Sequence, residues 1–449
     1  MILTARYVLP ISGPHIEHGA VLVRGTRIAE VGTLDELRAR HPGEEVRDFG
    51  QSALMPGFVD CHTHMEFTVF RGLVTDSPYT QWKMRLLALQ ERLDVADWED
   101  SARLGALEAV RSGITTVADI TPSGASARAA AEAGLRGVVY REVATMRKRD
   151  VPDVLARASE DIAAWNEIDS RGLLTIGIAP HSPYACHPEL FGRVAEKATA
   201  EGLKVATHLA GSRDEYDFVK YGSSAIATDF EDKTSWTEAG WLPTGVSPVR
   251  YLLNWGFFDA PEILAVHCVQ VDDDDIAILA QCGVSVAYCA RCNARLAMGV
   301  APLREFTRNR LMLGLGTDSP ASSPTMDFFD EMRFGLMLQR AVSGEPGFFT
   351  ARTFMRLATV WGARALGLGE QVGTLEEGKE ADIIAVDLSR SHQVPTEDPY
   401  AALVHTSHQD NVLMTMVAGK MLYDAGAWTT LDPAALLARA VPIRAKLRG

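Results

Sequence analysis

Five histidines and one aspartate stand where short apolar runs end. His62-Thr63-His64 follows Ala53–Asp60, His181 follows Leu173–Ala179, and His208 ends Lys204–His208. His267 lies in Ile263–Cys268, and Asp318 follows Met312–Gly316. Imidazoles and a carboxylate of this number, if they converge, hold a divalent ion of borderline softness, zinc or iron. A lone buried histidine is more often a hydrogen-bonded core residue, and a His-x-His pair alone is a weak signal. The ordered set at successive strand ends carries the reading. Alternation along a strand would send His62 and His64 to opposite faces. Both reach one ion only if the strand is ending and the backbone twists there. His15, His18, His41, His392, His405 and His408 fall outside the set and read as surface or structural residues.

The elements that must position these groups are eight strand-like runs. Thr115–Ile120, Gly137–Val143 and Val284–Cys289 complete those named above. Helical patterns separate several of them, at Ser101 to Ser112, Pro188 to Glu201 and Asp272 to Cys282. Continuously apolar strands alternating with helices argue for a parallel sheet closed as a (β/α)8 barrel, a TIM-like α/β fold whose C-terminal strand ends share one mouth. An open doubly wound sheet is the alternative, weakened by the lack of a Gly-x-Gly-x-x-Gly after an early strand. The first fifty residues are β-rich, and the texture returns at Asp382–Asp387 and Val412–Lys420. The expected organisation is residues 1–52 as the first part of a small β-sandwich domain and 53–371 as the barrel. Residues 372–449 are its second part plus a terminal helix.

Composition narrows the class. The 449 residues carry 44 basic and 58 acidic side chains, a formal charge of −14, with 47% apolar and 23% charged residues. An acidic chain without a basic run is a poor nucleic-acid or anionic-membrane binder. No apolar stretch reaches the ~18 residues of a membrane span. The apolar start reads as a first strand, without a signal peptide's basic flank. Six cysteines, mostly inside apolar runs, suit a reduced, cytoplasmic protein.

The run Pro56-Gly57-Phe58-Val59-Asp60-Cys61-His62-Thr63-His64 resembles the first-strand signature of the amidohydrolase superfamily. Thr207-His208-Leu209-Ala210, Ala265-Val266-His267-Cys268 and Leu315-Gly316-Thr317-Asp318-Ser319 match its fifth, sixth and eighth strands. Arg71-Gly72, Trp82 and Ala179-Pro180-His181-Ser182-Pro183-Tyr184 resemble one branch, that of cytosine-, guanine-, adenosylhomocysteine- and aminofutalosine-type deaminases and triazine chlorohydrolases. The resemblance covers essentially the whole chain. It implies one metal, zinc with iron as the alternative, bound by His62, His64, His208 and Asp318. His267 would lie beside the metal-bound water, and Asp318 would take its proton. A metal-bound hydroxide would attack a carbon–nitrogen bond of a heterocycle, in the manner of a deaminase. His181, Trp82, Arg71 and Ser319 would touch a small heterocyclic substrate. A homo-oligomer, a dimer or higher, is the default.

The sequence departs from that branch in places. A glutamate normally stands three residues after the fifth-strand histidine and shuttles protons; here it is Gly211. Strand seven reads Tyr288-Cys289-Ala290-Arg291-Cys292-Asn293 in place of His-Cys-Pro-x-Ser-Asn. Nucleoside-type members carry an acid near the tryptophan, and Pro78-Tyr79-Thr80-Gln81 offers none. Glu66, Tyr288, and Asp214 with Glu215 are candidate substitutes for the missing acid. Without one, the site would favour dehalogenation, removal of a substituted amine or ring opening; a catalytically silent metal-binding protein is a third reading. Cys289-x-x-Cys292 lacks the second cysteine pair of a structural zinc site. Asp272–Asp275 reads as a helix N-terminus, since carboxylates there cap free N–H groups and complement the dipole.

Overall fold

The computed structural model describes residues 1–230 and 242–448. Eight parallel strands run in chain order: β6 (Phe58–Thr63), β7 (Ile114–Thr121), β8 (Arg136–Val143), β9 (Leu174–Pro180), β10 (Val205–Leu209), β11 (Ile263–His267), β12 (Ser285–Tyr288) and β13 (Met312–Leu315). A bridge between Thr63 and Asp318 and the bond from Asp318 N–H to the His62 carbonyl, 2.8 Å, bring the last strand back to the first. The fold is therefore the expected TIM-like barrel. All eight residues of β7 are buried, as are all six of β6, because helices cover the outside and side chains fill the inside.

A second sheet of nine strands is built from both ends of the chain. Its order runs β17 (Ala427–Trp428), β16 (Lys420–Asp424), β15 (Val412–Val417), β14 (Ile383–Asp387), β5 (Ser52–Pro56), β1 (Ile2–Val8), β2 (Ile16–Arg24), β3 (Arg27–Thr33), with β4 (Val46–Asp48) beside β1. The strand pair that joins the two halves in this order is the antiparallel β14–β5, from Ile383↔Pro56 to Asp387↔Ser52, and a bridge between Arg27 and Glu380 adds a second link. The single strand expected over Ala53–Asp60 is thus two strands in two sheets. Gly57 makes the break: a Cβ there would sit 2.1 Å from the Thr115 side chain, so only glycine lets the turn approach the barrel.

Local signals set the helices. Pro188–Glu201 begins at the His187 cap with proline at its first position and ends at left-handed Gly202, burying Leu190, Phe191, Val194, Ala195 and Ala198. The helix expected from Ser101 starts at Val95, behind a reciprocal Asp94–Asp97 capping box. Asp272 and Asp275 form the same box before Asp273–Gln281, so the four-aspartate run is a helix start, as expected. All six cysteines are free thiols. Among the described residues no helix is long and apolar enough to cross a membrane.

Candidate metal centre and active site

The C-terminal strand ends deliver His62, His64, His208, His267 and Asp318 to one place. The strand stops at Thr63, and His64 takes an irregular backbone conformation ahead of the turn Met65–Phe70. That change lets both rings of the His-x-His pair face inward, their centroids 4.8 Å apart. At other strand ends the backbone turns left-handed: Ala210, His267, Cys268 and Asp318 have φ of 49°, 75°, 46° and 60°. Such values are uncommon for residues with a Cβ and persist where surrounding structure enforces them. Asp60 is one enforcing group: its carboxylate accepts from Thr317 N–H (2.9 Å), Thr317 Oγ1–H (2.6 Å) and His62 N–H (3.3 Å), tying strand one to strand eight.

Hydrogen bonding fixes the state of two rings. His64 Nδ1 lies 2.7 Å from the Ile120 carbonyl, and His208 Nδ1 lies 2.9 Å from the His181 carbonyl. A carbonyl only accepts, so both Nδ1 atoms carry the proton. Burial pulls the His64 pKa down to about 3 and the His208 pKa well below its ordinary value, so both rings are neutral. Their Nε2 lone pairs then face each other at 3.3 Å with no proton between them. Fully buried His62 has no hydrogen-bond partner on either nitrogen, and its Nε2 lies 3.5 Å from Asp318 Oδ1. Burial opposes the charge on Asp318, but the adjoining histidines, His62 first, hold its pKa well below the usual carboxylate range. The bare Nε2 atoms of His64 and His208, converging with His62 beside an ionised carboxylate, make a candidate cation site, and the residues fit a divalent metal.

His267 stands next to this set, its Nε2 3.9 Å from Asp318 Oδ2 and its Nδ1 2.9 Å from Asn293 Oδ1. Asn293 had been legible only as part of the strand-seven run. Over the centre lies a cavity lined by His64, Trp82, His181, His208, His267, Asp318 and Ser319, among others. It adjoins an outer chamber of ≈480 Å³ that shares Phe67, Lys83 and His181 with it. His181 is held by Glu142 Oε1 at 2.5 Å and stands 3.2 Å from the Tyr184 hydroxyl, which meets the Tyr79 hydroxyl at 2.5 Å. Burial works against the Glu142 charge, yet His181 and Lys83 hold its pKa at about 2. Glu142, Asn293 and Lys83 were not singled out from sequence: two end or follow strands like many others, and a lysine on a helix reads as surface.

Other sequence candidates lie elsewhere. Arg71 pairs with Glu108 and lines a separate groove beside the helices Val95–Arg111 and Pro433–Arg448, away from the metal centre. Tyr288 is fully buried in the layer outside the barrel, its hydroxyl receiving a bond from Gln339 Nε2 at 3.2 Å, on the face opposite Cys289. Strand alternation explains that correction. Glu66 is enclosed behind the mouth, where Thr121 and Ser123 donate to its Oε2 at 2.5 Å. Glu215 clasps its own loop, accepting from Ala210 N–H (2.9 Å) and Gly211 N–H (2.8 Å). Asp214 opens the helix Arg213–Tyr221, which Ser212 caps. None of these five side chains lines the cavity over the centre. Gly211 does look toward it: a Cβ there would meet Met298 Cε at 2.8 Å and His267 Cδ2 at 3.2 Å.

Comparison with known proteins agrees with this architecture. The profile of the Amidohydrolase family matches residues 53–422, and that of an imidazolonepropionase-like composite domain of bacteria matches residues 19–43. A 5-methylthioadenosine/S-adenosylhomocysteine deaminase of Moorella thermoacetica is 34% identical, covering 95% of this chain and 94% of its own. The protein of the same name from Symbiobacterium thermophilum is 32% identical, covering 100% and 99%. Among solved structures, an adenosine deaminase of Xanthomonas campestris with bound zinc superposes with a TM-score of 0.87 at 28% identity, covering 100% of this chain and 98% of that one. Zinc-complexed atrazine chlorohydrolase of Arthrobacter aurescens reaches 0.84 at 22% identity, covering 99% of each chain, a likeness of fold.

Proposed function

This chain belongs to the amidohydrolase family, and on that premise we propose that it hydrolytically deaminates a nitrogen heterocycle, with adenosine derivatives as the first substrates to test. It is a metal-dependent hydrolase of carbon–nitrogen bonds other than peptide bonds. The observation that carries the reading is the pair of facing, unprotonated Nε2 atoms of His64 and His208 beside ionised Asp318. We assign His62, His64, His208 and Asp318 to one divalent ion, zinc, with iron as the competing choice. Such an ion lowers the pKa of a water toward ~7 and so supplies hydroxide at neutral pH. Asp318 accepts the proton of the attacking water and returns it to the leaving group. His267, steadied by Asn293, binds the oxygen that the attack delivers to the ring. His181, oriented by Glu142, and Trp82 and Ser319 hold the heterocycle. Within this reading the division expected at residue 52 moves to Gly57, because Ser52–Pro56 lies in the small sheet: residues 1–56 and 372–449 form one small β domain around a barrel of 57–371, in a cytoplasmic dimer or higher oligomer with a small-molecule partner.

The test is ammonia release by zinc-loaded protein from aminopurines, adenosine derivatives, aminopyrimidines and aminotriazines. Silence across that panel overturns the deaminase reading. Gly211 supports a second reading, expulsion of a group that needs little protonation. Chloride or alkylamine release without ammonia is its expected outcome. Gly211→Glu separates the two, because its side chain enters beside His267: a gain in ammonia release supports the first, loss of a native non-ammonia reaction the second.

A further inference from the structure

The helix Tyr79–Gln90 turns one face to the active-site cavities. Tyr79, Trp82 and Leu86 line the inner one, Leu87 and Gln90 the outer one, and Lys83 both. A stripe at these spacings is the inward face of an amphipathic helix, where a cation is out of place without a partner. Lys83 is half-buried and stands at the junction between the metal centre and the outer chamber. It is the one lysine or arginine among the described residues lining either space.

The acids that face it are otherwise engaged. Glu142 is bonded to His181 at 2.5 Å, and Asp318 is set among the histidines. Both act on Lys83 only from a distance; no described carboxylate forms an ion pair with it. Glu91, at the outer rim of the chamber, is held by contacts of its own. Burial pulls the Lys83 pKa below its ordinary value, so its charge is held at a cost that an arriving anion would relieve.

We propose that Lys83 receives an anionic oxygen group of the substrate, so that this enzyme acts on heterocycles that carry a carboxylate. The proposal rests on the hydrolase reading of the same site and adds the charge of the substrate to it. One ammonium at the cavity junction serves a carboxylate on the ring or one on a short arm, and two probe pairs tell these apart. The first is 4-aminopyrimidine-5-carboxylate against 4-aminopyrimidine; the second is adenosine-5′-carboxylate against adenosine. Binding to the zinc-loaded full chain is read by calorimetry, and ammonia release is followed separately.

In at least one pair the carboxylate member is expected to bind about tenfold more tightly, as a charge-assisted bond in a partly dry site provides. In Lys83→Met that ratio is expected to fall to about 2 or less, and in Lys83→Arg to be largely retained. Preference in the first pair places the anion on the ring, in the second on an arm. Equal affinities within both pairs, absence of binding by either carboxylate, or a preference that survives Lys83→Met each overturn the proposal. The ammonia readout is independent. Carboxylate preference without ammonia leaves Lys83 recognition standing and removes deamination. Ammonia released from neutral and carboxylate probes alike does the reverse.

Discussion

Asp318 joins two demands in one side chain. Its carboxylate stays ionised amid buried histidines, beside His62 at 3.5 Å and within 3.9 Å of His267. Asp318→Asn removes the charge while keeping the shape. We expect loss of turnover by about 10³-fold or more, together with reduced zinc content in metal analysis. Activity near wild type would refute the assignment. Glu215 makes a different prediction. Burial lifts its carboxyl from the ordinary 4.5 to about 7, against the pull of the amides of Gly211, Ala210 and Ser212. Between those values the folded chain holds a proton that the unfolded chain has lost, so stability falls as pH rises from about 4.5 to about 7. Urea midpoints of Glu215→Gln are expected to fall less than wild type over that window; parallel curves would show that the group does not titrate there. The histidines and Asp318 were legible in the sequence because each follows an apolar run. Glu66 and Tyr288 lie off the cavity because proximity in the chain to His64 or Cys289 does not fix the direction of a side chain. Glu66 turns back to Thr121 and Ser123, and Tyr288 alternates to the outer face beside Gln339.

At the scale of elements, short polar signals decide where helices begin. Asp272 and Asp275 cap each other's amides ahead of Asp273–Gln281, and Arg250 reaches Asp272 and Asp274 from the neighbouring helix. Asp272→Ala is expected to cost about 1 kcal/mol in urea unfolding without changing metal content, since the cap serves the helix and not the site. A loss of zinc in that variant would contradict this separation. The Asp272 start could be read from sequence, as could most of the strands, because capping and alternation act within a few residues; the equivalent Asp94–Asp97 box opens its helix at Val95, ahead of the start expected at Ser101. The division of Ala53–Asp60 could not be read from sequence. It depends on Gly57 fitting against Thr115, a contact between residues far apart in the chain.

Across the whole molecule, the two sheets are joined by a buried ion pair. Arg136, at the start of β8, binds Asp382 through Nε at 2.7 Å and a second nitrogen at 3.2 Å, with side-chain exposures of 5% and 2%. Asp382 also accepts from Ala418 N–H at 2.8 Å, so one carboxylate gathers barrel, β14 and β15. Arg136→Met would leave that charge buried and uncompensated, a loss of about 3–5 kcal/mol. Chemical denaturation measures it, and a change below about 1 kcal/mol would show that the β sheet does not depend on the pair.

The sequence by itself determined the barrel, the pairing of its two ends into one sheet, and which histidines and aspartate meet at the barrel mouth. Each depends on local periodicity or on residues at strand ends, and local sterics write those into the chain. Tertiary structure alone decided which nitrogens stay bare, which acids are spent on structure, and that Lys83 of a helix faces the metal cavity. Those outcomes depend on distances between segments that the chain brings together only when it folds. For the same reason Arg71, next to the first-strand signature in sequence, ends in a groove on another face of the protein.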